Sequence, residues 1–544
     1  MSAADPTAQE PLENSPPASR RGIAANTAIF ALATALSRLA GLGREVVAAS
    51  YFGTLASMSA FTLAAQVPNL TANLFSQAAL SAAFVPVFTE LLHEGRRRDA
   101  FRLASALFWV ITIGLGILTG LWMLTAEVIV PIFTGSGFTA SNTALAVELS
   151  RVLFPVVLLL SLTGLFVGIL QAYDEFSLSA VVPAVWNVVI IVLLVVLHGH
   201  FHGGGAVYAY AIAWLVATVV QLLMVASGLG KVDFRLAFTF DWRDPLLRKV
   251  LILFIPVTIS VGIINLDGFL NTAFGTLVTT HPHGQAPSAI DKAFRLYMLP
   301  QGVFSVAVAT VLFPTLTRFA VRREADGMRR VIGNGMRQIN LLMIPSAALL
   351  LVLATPITRL VYQRGQFNGT STHLVSIALF WFAVSLPFSG VNILLNRAFF
   401  ALKRPWIAVR MAAINVAVDV AISFALYKPL GIAGLVIGTL AANALMTGQQ
   451  AVRLRAGLGG RLEGRQTFMI TTRITVASAI AAGVGWAIWT GANAALGRSL
   501  PGQLLSVGAA LIGAGLLYAK TVLLMRIPEA HQIQALVLQR LRLR

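Results

Sequence analysis

The chain is a succession of long apolar runs separated by short polar connections. The runs fall near 24–52, 57–92, 98–133, 143–173, 176–199, 204–229, 247–279, 286–321, 327–361, 370–402, 405–427, 431–454, 466–495 and 500–526, and form spans 1 to 14 in that order. Each is long enough to cross a hydrocarbon core as a helix, which takes about 20 residues. Six of them carry Pro68, Pro155, Pro256, Pro300, Pro345 and Pro387; proline removes a backbone donor and crowds the preceding turn, so bent or broken helices are expected there. Residues 1–21 are rich in Pro, Ser, Ala and Glu, have no apolar period, and read as a disordered tail. The apolar pattern beyond Arg21 runs on towards Gly53, too long for a cleaved leader, so span 1 is expected to stay in the mature chain.

Composition narrows the class. Of 544 residues, 57% are hydrophobic and 11% charged, against about 25% charged in an ordinary soluble domain. This is the balance of an all-α integral membrane protein with little aqueous mass. No cysteine is present, which excludes disulfides, thiolate metal sites and a cysteine nucleophile. Forty Lys and Arg against 21 Asp and Glu give a net charge of +19, and position explains the excess. Alternate connections hold Arg96, Arg97 and Arg98, then Lys231, Arg235, Arg248 and Lys249, then Arg322, Arg323, Arg329 and Arg330, then Lys403 and Arg404, then Arg453, Arg455, Arg461 and Arg465. The opposite connections hold only Arg364, Lys428 and Arg498. The positive-inside rule makes the rich side cytoplasmic and, with an even number of crossings, puts both termini there. Nucleic acid is not needed to account for the charge.

An internal repeat is visible at an offset of 228: Pro86 and Thr89 match Pro314 and Thr317, Asn187 and Val188 match Asn415 and Val416, and Gly203 falls on Gly431. Six helices per copy is an even number, so the copies keep one orientation and should be related by an axis along the membrane normal, as in transporters with two lobes around a central cavity. The expected division is a cytoplasmic tail at 1–22, an N-lobe at 23–229, a linker at 230–246, a C-lobe at 247–455, two added helices at 456–527 and a basic cytoplasmic tail at 528–544.

A charge at mid-bilayer costs about 2.5–3.5 kcal/mol on insertion scales, so ionisable residues inside spans are the functional candidates. Span 1 holds Arg38, Arg44 and Glu45, with Gly41 and Gly43 between them, where a bend would swing both arginines towards one cavity. Span 8 adds Arg295, with Asp291 and Lys292 nearer its outer end. Converging guanidinium groups suit a diphosphate, because each offers a planar fork of donors and stays charged when partly desolvated; the plain alternative is Arg–Glu pairing, with Arg295 held by Asp267 or Glu45 and one arginine snorkelling to the interface. A second set is rich in oxygen: Asp267 and Asn271 on span 7, Asn415 and Asp419 on span 11, Thr439 on span 12. Such oxygens suit a hard cation, sodium or a proton coupled to transport, or serve as interhelical hydrogen bonds. His198, His200 and His202 sit in a Gly-rich loop whose spacing needs no metal. Arg337 and Arg397 read as snorkelling residues near helix ends. No cofactor is expected, and no motif of nucleotide hydrolysis or of a serine or metal hydrolase occurs.

The stretch SRLAGLGREVVAASYFGTLASMSAFTLAAQVPNL, with FRLYMLPQGVFSVAVATVLFPTLTR, VYQRGQF and NRAFFALKRP, resembles the MurJ (MviN) family of lipid II flippases, and the resemblance runs through spans 1 to 12. It implies the multidrug/oligosaccharidyl-lipid/polysaccharide exporter fold: two six-helix lobes in a parallel pseudo-twofold repeat, plus spans 13 and 14 forming a groove for a polyprenyl tail. It implies a transporter rather than an enzyme, in a bacterial inner membrane, acting on a polyprenyl-diphosphate-linked glycan, as a monomer among membrane lipids and with cell-wall synthases as partners. Arg38, Arg44 and Arg295 stand at the family's cavity arginines and Glu45 at its acidic position; Asn271, Asn415, Asp419 and Thr439 stand at its sodium site, with Asn271 replacing an Asp that Asp267 would stand in for. Two positions depart: Ala72 replaces an Arg and Ser59 an Asp, removing one cation and one anion. The rival readings are a flippase for another polyprenyl-linked glycan and a cation-coupled multidrug exporter, whose cavity would favour acidic and aromatic walls.

Overall fold

The computed structural model describes residues 20–75, 77–173, 175, 177–238, 244–279, 283–459, 462–532 and 534–535. Most of both tails, with Arg461, lies outside the described residues, as do the side chains of Asp267 and Ala72. Span 1 is Arg20–Phe52; span 2 is Ala56–Phe75 followed by Gln77–His93; span 3 is Arg97–Ile132; span 4 is Ala140–Leu153 and Pro155–Ala172; span 5 is Ser177–Leu197; span 6 is Tyr208–Gly228; span 7 is Pro245–Gly275. Span 8 is Ala286–Pro300, a π-helical turn Gln301–Ser305, and Val306–Val321; span 9 is Ala325–Val352, trailed by the short helix Ala354–Tyr362. Spans 10 to 14 are Gly369–Ala401, Pro405–Leu430, Ile432–Gly457, Gly464–Leu496 and Leu500–Leu524. Eleven crossings are long and apolar enough on their described residues; spans 1, 2 and 7, whose side chains are described in part, complete the fourteen.

Proline interrupts the α-helix at two of these sites. Span 4 breaks before Pro155, which starts its second half, and the π-turn of span 8 follows Pro300 directly. Pro68, Pro345 and Pro387 lie inside continuous helices; neighbouring helices can satisfy the freed carbonyl inside a packed bundle. Span 1 likewise runs as one continuous helix through Gly41 and Gly43. Those glycines face span 5 with space to spare: a Cβ at Gly41 would sit 3.7 Å from Asn187 Nδ2, and one at Gly43 3.8 Å from Ile191 Cδ1, both ordinary packing distances.

The repeat extends over both sets of six helices. Adding 228 carries the start of Arg97–Ile132 onto that of Ala325–Val352 and the start of Ser177–Leu197 onto that of Pro405–Leu430. Two large hydrophobic clusters follow the same division, one drawn from spans 1 to 6, the other from spans 7 to 12. The exceptions are instructive: Ala49 of span 1 belongs to the second cluster, and Leu247 and Val250 of span 7 to the first. A third, small cluster joins Leu341 of span 9 to Ile470, Ile474 and Val522 of spans 13 and 14.

The lobes meet differently at their two ends. At the end opposite the Arg-rich connections, Gln366 N donates to Ser50 O at 2.8 Å, Gly137 N to Thr276 O at 2.9 Å, and the Thr54 hydroxyl lies 2.9 Å from Gln285 Oε1 and 2.8 Å from Ser371 Oγ. At the basic end, spans 2 and 7 stay together, with Lys249 Nζ 3.1 Å from Glu90. Spans 1 and 8 are joined mainly by charged side chains.

Candidate functional site

The seam between spans 1 and 8 can be followed from the sealed end inward. Ser59 of span 2 and Ser288 at the start of span 8 are both fully buried and 3.0 Å apart, Ser288 also donating to Thr54 O. Serine at 59 thus closes the seal with a neutral hydrogen bond, where a carboxylate would have needed a cation. Next comes Glu45. Its Oε1 accepts from Arg44 at 2.6 Å and stands 4.0 Å from Arg295 Nε; its Oε2 accepts from Lys292 Nζ at 2.5 Å. Arg295 is also 3.3 Å from Asp291, one turn back on the same helix. Deepest is Arg38, whose Nη1 would lie 3.1 Å from a Cβ at Gly302, inside the π-turn.

The three arginines have different surroundings. Arg44 is buried at 6% exposure, bonded to Glu45, with its guanidinium 5.0 Å from the Trp186 ring and 5.5 Å from that of Trp214. Two aromatic faces and a carboxylate hold its charge inside the N-lobe. Arg38 is exposed, and Arg295 keeps 40% of its side-chain surface accessible although its helix is tied to span 1 at the sealed end. Its Nε is itself buried and has no hydrogen-bond partner. Arg38 and Arg295 are therefore the more accessible of the three arginines, and Arg44 is the enclosed one.

Lys292 escaped the sequence reading. It looked like a residue near a helix end, yet its side chain is fully buried on the face it shares with Arg295. The i, i+3 spacing from Arg295 was the available signal. With Asp291, it supplies one cation and one anion beyond Arg38, Arg44, Arg295 and Glu45.

The oxygen-rich set is brought together in the C-lobe. Asn271 Nδ2 donates to Asp419 Oδ2 at 3.0 Å, the Thr439 hydroxyl to the same oxygen at 3.3 Å, and the Ser423 hydroxyl to Asp419 Oδ1 at 3.0 Å. Asp419 is 3% exposed and makes no ion pair among the described residues. Asn415 Oδ1, one turn away, is buried without a partner. A buried carboxylate ringed by neutral dipoles, with an unused oxygen beside it, fits a small hard cation. The repeat makes the set one-sided: Asn271, Asp419 and Thr439 correspond to Gly43, Ile191 and Ala211 of the N-lobe, and Asn415, matched by Asn187, is the one member with a polar counterpart.

Other residues fall elsewhere. Arg337 does not snorkel: it lies mid-helix at 6% exposure, bonded to Glu529 and, at 2.7 Å, to Glu463. The reason is that two carboxylates flanking spans 13 and 14 take its charge. His198 stacks on Tyr51 with ring centroids 4.0 Å apart, and no cluster of metal-ligating side chains occurs among the described residues.

Residues 48–499 match the family described as Lipid II flippase MurJ. A probable lipid II flippase MurJ of Rhizobium tropici is 31% identical over 78% of this chain and 79% of its own length; the lipid II flippase MurJ of Burkholderia cenocepacia is 32% identical over 65% and 68%. A solved lipid II flippase MurJ in an inward closed conformation superposes with a TM-score of 0.76 at 20% identity, covering 92% of this chain and 99% of that one. An inward-facing multidrug resistance transporter of the MATE family and MOP superfamily follows at 0.65 and 15% identity, covering 78% and 94%. The chain is a multi-pass membrane protein of the MOP-type transporter fold, and it belongs to the MurJ lipid II flippase family.

Proposed function

We propose that this chain moves lipid II, the undecaprenyl-diphosphate-linked muropeptide, from the inner to the outer leaflet of the bacterial inner membrane by alternating access. The basic end faces the cytoplasm and carries both termini; the hydrogen-bonded end faces outward. The observation that carries the reading is the pair of accessible cations, Arg38 and Arg295, on the two sides of a seam that is hydrogen-bonded at its outer end. A diphosphate entering from the cytoplasmic side meets donors from both lobes at once. Arg44 acts on it through Glu45, by holding that carboxylate on the span 1 side. Because the headgroup is anionic, an inside-negative potential favours its outward passage by about 2.3 kcal/mol per charge per 100 mV.

Sodium at Asp419, Asn271, Asn415 and Thr439, with the carboxylate and carbonyl oxygens as ligands, is the coupling ion this reading favours. It acts on one lobe only, since the N-lobe counterpart has no carboxylate. The groove beside spans 13 and 14 holds the polyprenyl tail, and synthases that consume lipid II outside are the partners the reaction calls for. The cationic seam weighs against a drug exporter.

The test is complementation of a strain depleted of its own lipid II flippase. The unmutated chain should restore growth, and Arg38→Ala and Arg295→Ala should abolish it at equal membrane abundance. Growth sustained by both variants would remove the diphosphate reading.

A further inference from the structure

We infer that Lys292 is a positioning residue of the headgroup site: by occupying Glu45, it keeps Arg295 from closing on that carboxylate and leaves it one internal hydrogen bond, to Asp291, with donors to spare for diphosphate. The inference rests on the proposed role of Arg295 and goes beyond it, because Lys292 itself is fully buried and touches no open space.

Glu45 has two oxygens and three cations within reach. Arg44 takes Oε1 at 2.6 Å, Lys292 takes Oε2 at 2.5 Å, and Arg295 Nε is left 4.0 Å away, outside hydrogen-bond range and without another acceptor. The two span 8 cations lie on one helix face, three residues apart, so they compete for the same carboxylate. Lys292 is the one held in place: the carbonyl of its own backbone accepts from the buried Tyr362 hydroxyl at 3.4 Å, and its ammonium, a compact point charge, fits where a guanidinium fork would not. Remove that ammonium and Glu45 keeps a buried, half-satisfied charge. The nearest cation able to satisfy it is Arg295, which needs to move by about 1 Å to make a normal hydrogen bond. It would then be bracketed by Glu45 and Asp291, closed to a second anion. Lys292 thus decides whether Arg295 is held by two carboxylates or by Asp291 alone, with donors left for a ligand.

The experiment measures binding of a short-chain polyprenyl diphosphate to the purified full-length protein by titration calorimetry, with thermal stability recorded alongside. Lys292→Met should weaken binding by about tenfold or more, Lys292→Arg should weaken it less, and Glu45→Gln combined with Lys292→Met should recover most of the loss, because the competing carboxylate is then neutral. Should Lys292→Met alone fail to fold, the double variant carries the test. Unchanged affinity in Lys292→Met overturns the inference, as does a double variant that regains stability but not binding, since that marks Lys292 as a structural ion-pair member only. Arg295→Ala is measured in parallel: loss of binding there with full binding in Lys292→Met defeats the inference alone, whereas unchanged binding in Arg295→Ala defeats the site reading beneath it.

Discussion

Alanine at Gly53 should push the outer seal open. Gly53 ends span 1 with φ +54, and a Cβ there would lie 2.6 Å from Gln366 O and 3.0 Å from Gln366 C. Two costs follow, and they act on different equilibria. The left-handed conformation penalises alanine by about 1–2 kcal/mol, but this strain sits within the N-lobe and is present whichever way the lobes face. The collision is with the backbone of the other lobe, so it exists only when the seal is closed. Overpacking of this kind costs about 1–3 kcal/mol. Relieving it separates Gln366 N from Ser50 O and Thr54 from Ser371, each bond contributing about 0.5–1.5 kcal/mol net. Clash and bond loss are alternatives, so the closed state should lose about 1–3 kcal/mol relative to the outward-open one, a population shift of about fivefold or more. The chain has no cysteine, so a single one at Ser59, fully buried in the seal, reports the opening. Labelling of that cysteine by a membrane-impermeant maleimide added outside should be slow in the Gly53 background and accelerate by about that factor with alanine. Equal labelling rates in two equally stable proteins would show that these contacts do not hold the lobes shut.

Further outcomes follow from other close contacts. Arg337→Leu strands the buried carboxylate of Glu529, beside the partly exposed Glu463, which should cost about 3–5 kcal/mol and lower the melting temperature; adding Glu529→Gln should return much of it. Gly438→Ala sets a Cβ 2.6 Å from Asp419 Oδ1, so the rise in melting temperature expected with sodium should vanish, as in Asp419→Asn; a sodium response surviving both variants removes the proposed ion site. Gly302→Ala crowds Arg38 Nη1 at 3.1 Å, and should weaken polyprenyl diphosphate binding with little change in stability, read by calorimetry and thermal melting together.

Much of this was legible in the chain itself. Hydropathy alone delimits fourteen spans, because each must satisfy its own backbone and bury an apolar surface in lipid. The repeat at 228, the asymmetry of basic connections, and the rarity of charge inside spans are likewise properties of the linear sequence, and they single out Arg38, Arg295 and Asp419. What they could not decide is which charge meets which. Glu45 and Lys292 are 247 residues apart, Arg337 and Glu529 are 192 apart, and nothing local marks either pair. Arg38 and Arg44 sit on one helix with the same chemistry, yet Trp186 and Trp214 enclose the second and leave the first open. Burial and pairing of a charge depend on the helices that surround it, and those neighbours are chosen by packing between distant spans. Sequence determined where the helices lie and which of them carry charge; only the packed bundle decided which charges are spent on one another and which are left for a ligand.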